Sequence, residues 1–557
     1  MRDGKSAESC ESENNCLTEP EVKRVWNKLW LDRTRVLLLP LSILISPFLN
    51  FLDHHSYDLA RLEAVLGLTA IVIVALVFSF VMMVGGRALR TFVIVGLIIF
   101  FIDIQFDWID EIGKFGKIGT GVSLFSLVWL MGDNFQRIAA AFFIAVLAVT
   151  LVQLPLSGDI TKSRFVWKTA NGTSRPRLIH LILDEHIGLE GIPREIAEGR
   201  TLKDSLSRFY LKNGFRVFGG AFSRYADTLN SISNALNFSA ENRNLAFVVG
   251  RDNSRSQNVF SRNRYFDILA REGYHINVID SSYLDFCTST VNIENCSKYK
   301  FGLKTLETID TSTSTKLQVI SSFYFNQSYA FRRICSLVPE SWDLSVVNFS
   351  TIESMRILDG RLLEDILALP PGNVFFAHLM FPHAPFAVCA DCSVKPLGEW
   401  KKQQLKNPPP YNTDASRKEH YQLYFRQVQC LYVKLERLFE RMQAAGIYDD
   451  SIIVLQGDHG TRIVMNDVTP KYRDALKEQD LVDAYSTLFA VKVPRIHGEY
   501  NSSPRPLEGL LAEFVSEHVA SSSLNLTLGQ SAFVYLKSDP DLKGKELMPI
   551  PFLMAHE

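Results

Sequence analysis

The sequence predicts an α/β protein in which a helical membrane domain of about five spans precedes a larger domain built on a mostly parallel sheet with helices on both faces. Three observations carry this expectation. Apolar stretches crowd the first 155 or so residues, short β-rich runs alternate with amphipathic stretches from Arg177 onward, and several of those runs end on carboxylates or histidine. At 557 residues the chain is too long for one ordinary domain, so a membrane part plus one large soluble domain fits best. The net charge of −1 and the lack of a lysine-arginine block exclude a nucleic-acid partner.

The apolar stretches run over Val36 to Leu52, Ala64 to Met83, Thr91 to Gln105, Ile118 to Met131 and Ile138 to Leu154. The second reaches the roughly 20 residues that cross a bilayer, the first and fifth come close, and the third and fourth are shorter. Lys23, Arg24, Lys28, Arg33 and Arg35 precede the first stretch, Arg87 and Arg90 follow the second, and Arg137 follows the fourth. Positive charge marks the cytoplasmic side, so alternate loops are cytoplasmic and everything after about Pro155 lies outside, with Lys114 and Lys117 weakening the contrast. The expected division is a cytoplasmic tail at 1–33, a transmembrane domain at 34–155, a linker at 156–176 and an extracytoplasmic domain at 177–557. The polar opening segment Met1 to Pro20 precedes any apolar run by too much to read as a cleavable signal.

Cys287, Cys296, Cys335, Cys389, Cys392 and Cys430 all fall in the outer part, where an even number of cysteines implies disulfides. Cys287 with Cys296 is the first pairing expected. Cys389-Ala-Asp-Cys392 also reads as a redox or zinc CxxC, but no second pair or nearby histidine completes a zinc site.

In the soluble domain the strand-like runs are Leu178 to Leu183, Phe215 to Ala221, His275 to Asp280, Val374 to Met380, Ile452 to Gln456 and Thr487 to Val493. Leu202 to Asn213, Val259 to Glu272, Met355 to Leu369 and Arg417 to Ala445 read as helices between them. The segment from about Ser281 to Ser350 reads as an insertion that bears substrate specificity. Functional groups of such sheets gather beyond the carboxyl ends of the strands. There the sequence offers Asp184 and Glu185 after the first run, Thr228 in Tyr225-Ala-Asp-Thr228, and Asp458 and His459 in Gln456-Gly-Asp-His-Gly460.

Taken together these motifs resemble the alkaline phosphatase superfamily, and within it the sulfatase-like branch holding membrane-anchored lipoteichoic acid synthases and lipid A phosphoethanolamine transferases. The resemblance covers roughly Arg177 to Pro494. It rests on Glu185, Thr228, Phe376-Ala-His-Leu-Met-Phe-Pro-His-Ala-Pro-Phe386 and Gly457-Asp-His-Gly460, in that order. It implies that Thr228 stands where a sulfatase has the cysteine that becomes formylglycine. A threonine cannot be so converted, whereas its hydroxyl becomes a nucleophile when a cation lowers its pKa, which favours phosphoryl transfer over sulfate hydrolysis. As a plain helix residue, Thr228 would be an N-cap or first-turn group.

The resemblance further implies one divalent metal, Mn²⁺ or Zn²⁺ rather than Mg²⁺, held by Glu185, Thr228, Asp458 and His459, with Asp184 as the substitute for Glu185. It implies catalytic Thr228 and His383, and substrate contacts from His378, His383 and Arg462. The function so implied is transfer of a phospholipid head-group phosphate, phosphoethanolamine or phosphoglycerol, to a cell-envelope glycan or lipid through a covalent Thr228 intermediate. The setting so implied is a bacterial inner (plasma) membrane, with a phospholipid donor and a periplasmic catalytic domain. Three alternatives stand beside it: a sulfatase-like phosphodiesterase or other ester hydrolase, an inactive surface-polymer binding protein, and a transporter. Only Pro40, Pro47 and Asp103 within the spans hint at transport.

Overall fold

The computed structural model of the protein describes residues 19–106, 114–153, 165–168, 175–241, 246–249, 258–281, 283–288, 291–299, 302–328, 331, 348–401, 410–521, 533–537 and 547–549. The chain forms two compact units, one of Met1–Gly158 with Thr313–Ser345 and one of Asp159–Ser312 with Val346–Glu557.

The first unit contains helices α1 (Glu19–His54), α2 (Leu62–Val84), α3 (Arg87–Phe106), α4 (Lys114–Met131) and α5 (Asp133–Gln153). Four of these carry stretches long and apolar enough to cross a membrane: Thr34–His54, Leu62–Val84, Arg87–Phe106 and Asp133–Gln153. The third expected span is thus longer than its apolar run, because Arg87 and Arg90 are part of the helix. The fourth remains short, at Gly116–Met131. Asp103 is buried in this unit and accepts a hydrogen bond from Ser328 at 2.6 Å. Helix Thr313–Phe325 belongs here too: its Tyr324 ring sits 5.2 Å from Phe48 and 5.3 Å from Phe51. The sequence division placed this helix in the extracytoplasmic domain, whereas its buried Tyr324 packs against α1.

The second unit is built on an eight-stranded sheet: β1 (Arg177–Leu183), β2 (Phe215–Phe218), β3 (His275–Ser281), β4 (Ile293–Tyr299), β5 (Asn373–Leu379), β6 (Ser451–Gly457), β7 (Phe489–Lys492) and β8 (Glu499–Asn501). Their order across the sheet is β8-β2-β7-β6-β1-β5-β3-β4, and β7 alone runs against the others. Central strands buried on both faces read as unbroken apolar runs, which is why β1, β5 and β6 were legible. Alternate residues of β1 divide between two cores: Ile179, Leu181 and Leu183 pack on one face, Leu178 and Ile182 on the other. Helix Asp414–Ala444 covers the first face through Tyr421, Phe425, Leu431 and Leu435, while Arg264–Arg271 and Leu507–His518 cover the second. The expected helix over Val259 to Glu272 begins instead with a short strand, Asn258–Phe260, and becomes helical only at Arg264, after Asn263 caps it by accepting from Phe266 N–H.

Disulfides join Cys287 to Cys296 and Cys392 to Cys430, and Cys389 is a half-buried free thiol. The CxxC is therefore no dithiol pair, since Cys392 is bonded to the helix Asp414–Ala444 instead.

The polar member of β1, His180, is fully buried between Tyr265 (3.2 Å) and Gln456 (3.1 Å). Burial holds its imidazole down to about 3, so it stays neutral in the folded chain while the unfolded chain takes up a proton below about pH 6.5. The folded pKa is the lower one, so stability is lost as pH falls from about 6.5 toward 3, at up to about 1.4 kcal/mol per pH unit from this group. Thermal unfolding of the full chain in detergent at pH 7.5 and 5 should show this slope, and His180→Gln should flatten it.

Candidate active site

Four segments bring the polar groups together beyond the carboxyl ends of β1, β5 and β6. Asp184 and Glu185 follow β1, Asp458 and His459 follow β6, His378 lies in β5 with His383 in the turn after it, and Thr228 opens helix α6 (Thr228–Asn237). Glycine on both sides of Asp458-His459 has a packing cause. A Cβ at Gly457 would meet Thr487 and the His186 carbonyl, and one at Gly460 would meet the Asp483 carbonyl.

Asp184, Asp458 and His459 are fully buried and offer ligand atoms that all lie within 4.8 Å of one another. Asp458 Oδ1 accepts from Glu185 N–H at 2.9 Å and from His459 N–H at 2.8 Å. Its Oδ2 and both oxygens of Asp184 have no hydrogen-bond partner. Buried carboxylates without partners are costly, and a divalent cation is the group that two carboxylates and an imidazole accommodate. Burial, then the Asp458 charge, pushes the Asp184 carboxyl up to about 7. Burial would raise Asp458 as well, but the neighbouring His459 and His378 rings and the two N–H donors hold it below the usual carboxylate range.

Of the two acidic residues, Asp184 and not Glu185 lies in the cluster of candidate ligand atoms with Asp458 and His459. Glu185 adopts a left-handed backbone, φ 60°. Its Oε1 accepts from Arg462 Nε at 2.6 Å and from the second nitrogen of that guanidinium, and its Oε2 accepts from Ala384 N–H at 3.3 Å. With both oxygens engaged, Glu185 orients Arg462, and Asp184 takes the place in the acidic cluster. Burial works against its charge, but Arg462 keeps the Glu185 carboxyl below the ordinary value.

Thr228 is the first residue of α6, and the cap is Asp227, which accepts from Asn230 N–H at 3.0 Å. Relieved of capping, Thr228 Oγ1 lies 3.2 Å from His459 Nε2. The threonine is 5 % exposed.

His383 and Arg462 form the open side. Arg462, its side chain 28 % exposed, donates to His383 Nε2 at 3.1 Å, and the other ring nitrogen of His383 bonds the Ala384 carbonyl. His378, expected to bind substrate beside His383, is instead fully buried and directs Nε2 toward Asp184 Oδ2, 3.5 Å away.

Three contributors went unmarked in the sequence. Tyr424 donates to the Glu185 carbonyl at 2.9 Å and accepts from Ile187 N–H at 3.0 Å, pinning the turn after β1. The Tyr283 hydroxyl is raised, first by burial and then by the Asp184 charge. Arg224, 1 % exposed and four residues before Thr228, donates Nε to Glu508 (3 % exposed) at 2.5 Å. Removing one member of a buried pair strands the other charge, so Glu508→Gln should lower stability by about 3 kcal/mol, read as a shift in thermal unfolding, with a smaller loss of activity.

A family model described as Sulfatase matches residues 206–484, half of the chain. No curated protein matches. Among solved structures, the chain is 13% identical to the C-terminal periplasmic domain of EcEptC from Escherichia coli, covering 69% of this chain and 94% of that one with a TM-score of 0.36. It is 14% identical to the phosphonate monoester hydrolase SpPMH from Silicibacter pomeroyi, covering 67% and 81% with a TM-score of 0.37. A protein in the alkaline phosphatase superfamily from Vibrio parahaemolyticus shares 10% identity over 66% and 74%, with a TM-score of 0.36.

Proposed function

The chain belongs to the sulfatase family, and from that premise we propose that it is a membrane-anchored, metal-dependent phosphotransferase that moves a phospholipid head-group phosphate onto an envelope glycan or lipid through Thr228. The observation that carries this reading is the Thr228 hydroxyl, free of capping and 3.2 Å from His459, in a site where both Asp184 oxygens and Asp458 Oδ2 have no hydrogen-bond partner. A sulfatase nucleophile made from cysteine is absent from that position.

Asp184, Asp458, His459 and the Thr228 oxygen would hold the cation, Mn²⁺ or Zn²⁺. Such an ion lowers the pKa of a neighbouring hydroxyl and offsets phosphate charge. Arg462, held rigid by Glu185, and His383 grip the phosphate oxygens on the open side. Thr228 Oγ attacks phosphorus; the bond from phosphorus to the diacylglycerol oxygen breaks, and the head-group phosphate stays on Thr228. With one His383 nitrogen committed to the Ala384 carbonyl, Nε2 exchanges the proton. Nε2, which accepts from Arg462 N–H in the resting site, would take the Thr228 hydroxyl proton as Thr228 attacks and pass it to the departing diacylglycerol oxygen; in the second half it would take the proton of the acceptor hydroxyl and return it to the Thr228 oxygen that is displaced.

The apolar helices of the first unit support a lipid donor, since they keep the site where phospholipid is concentrated. The distribution of lysine and arginine around them supports a multi-pass protein of the bacterial inner membrane with its catalytic domain in the periplasm. The test is release of labelled diacylglycerol from phosphatidylethanolamine or phosphatidylglycerol by the full chain in lipid nanodiscs. Metal-dependent release with head group transferred to an acceptor is expected. Release with the head group appearing as free phosphate ester would make water the acceptor and the protein a hydrolase, and no release from either lipid would contradict a phospholipid donor.

A further inference from the structure

We propose that His378 is a further ligand of the cation site, so that two imidazoles, His378 and His459, bind the metal with Asp184 and Asp458. This inference rests on the reading of Asp184, Asp458 and His459 as that site.

The argument begins in the sheet. Strands β6, β1 and β5 are neighbours, and Ile182 of β1 pairs with Gln456 of β6 and with His378 of β5. Side chains alternate along a strand, so His378 shares a face with Ile182, and Asp184, two residues on, continues that face just past the strand end. His378 therefore follows the buried row Val374 and Phe376 and ends it with a polar ring where two apolar side chains precede it.

That ring has nothing to bond. Both its nitrogens are without a hydrogen-bond partner, and the residue is fully buried. Its Nε2 lies 3.5 Å from Asp184 Oδ2, too far for a good hydrogen bond but a separation that two ligands of one ion adopt. The Asp458 charge acts on His378 as well. Asp184 meanwhile has two oxygens without partners, and Asp458 has one. Asp184 follows β1, Asp458 follows β6 and His378 ends the buried row of β5, so a cation held among Asp184, Asp458 and His459 that also reached the His378 ring beside Asp184 would satisfy all of these atoms.

A role as a substrate contact needs exposure, which His378 lacks. A role as a partner that merely orients Asp184 would leave one imidazole on the metal, and that difference is measurable.

The test is X-ray absorption at the zinc edge on the full chain in detergent, loaded with one equivalent of zinc, with zinc affinity measured alongside. Two imidazole ligands are expected in the unaltered protein and one in His378→Ala, with zinc binding weakened by roughly 100-fold or more. His378→Gln, closer in volume, should give the same single-imidazole spectrum, and circular dichroism with unchanged thermal unfolding would confirm that both variants fold. A single imidazole in the unaltered protein, unchanged in either variant, would overturn the proposal even if affinity fell. No retained zinc in the unaltered protein would overturn the cation site itself, which separates the two failures.

Discussion

Thr228→Ala is expected to abolish transfer, lowering kcat by about 10⁴-fold or more, while the protein keeps its fold. The magnitude follows from the chemistry: without the hydroxyl no bond to phosphorus can form on the enzyme, and only direct attack by the acceptor remains. The conservation of fold follows from the local geometry. Asp227 caps α6, so alanine at Thr228 removes no capping bond, and alanine is a good helix former. Thr228→Ser, which retains an oxygen at the same place, should recover most of the rate. Turnover of labelled lipid together with thermal unfolding checks both halves. A Thr228→Ala protein with near-normal turnover would remove the covalent reading altogether.

The second large effect separates two adjacent acids. Asp184→Asn should strip the protein of its metal, because Asp184 brings two partnerless oxygens to the cluster with Asp458 and His459. Glu185→Gln should leave metal content intact and act on substrate instead. Its carboxylate holds Arg462 by two guanidinium bonds, and replacing their charge-assisted character with a neutral amide, a loss of about 1.5–3 kcal/mol in all, should raise KM by roughly 10- to 100-fold. Metal analysis by mass spectrometry beside steady-state kinetics reads the two outcomes. The reverse pattern, metal lost from Glu185→Gln and kept by Asp184→Asn, would restore Glu185 as the ligand.

The same pair shows where sequence reading stops. The apolar runs Leu178 to Leu183 and Ile452 to Leu455 identify strands because both faces are buried, and they place Asp184, Glu185, Asp458 and His459 at the strand ends. Which acid turns toward His459 depends on the backbone at Glu185, whose positive φ is held by Tyr424 more than two hundred residues away, a separation no local pattern encodes. His378 was visible as a histidine near a strand end, but its direction depends on the register between β1 and β5. Edge strands were missed for a related reason. Ile293 to Tyr299 is half-buried and reads Ile-Glu-Asn-Cys-Ser-Lys-Tyr, with little apolar signal, yet it extends the main sheet beside β3. The close pair Cys287 and Cys296 could be named from proximity in sequence, whereas Cys392 with Cys430 requires the helix Asp414–Ala444 to be in place.

The most direct test of the central claim is peptide mass spectrometry of the full chain, quenched after incubation with phosphatidylethanolamine and phosphatidylglycerol in the presence of Mn²⁺ or Zn²⁺. The account predicts a mass increment equal to one head-group phosphate on the peptide containing Thr228, absent from Thr228→Ala and discharged on adding an acceptor. Turnover of lipid with Thr228 unmodified at every quench time, or an increment on another residue, would contradict it.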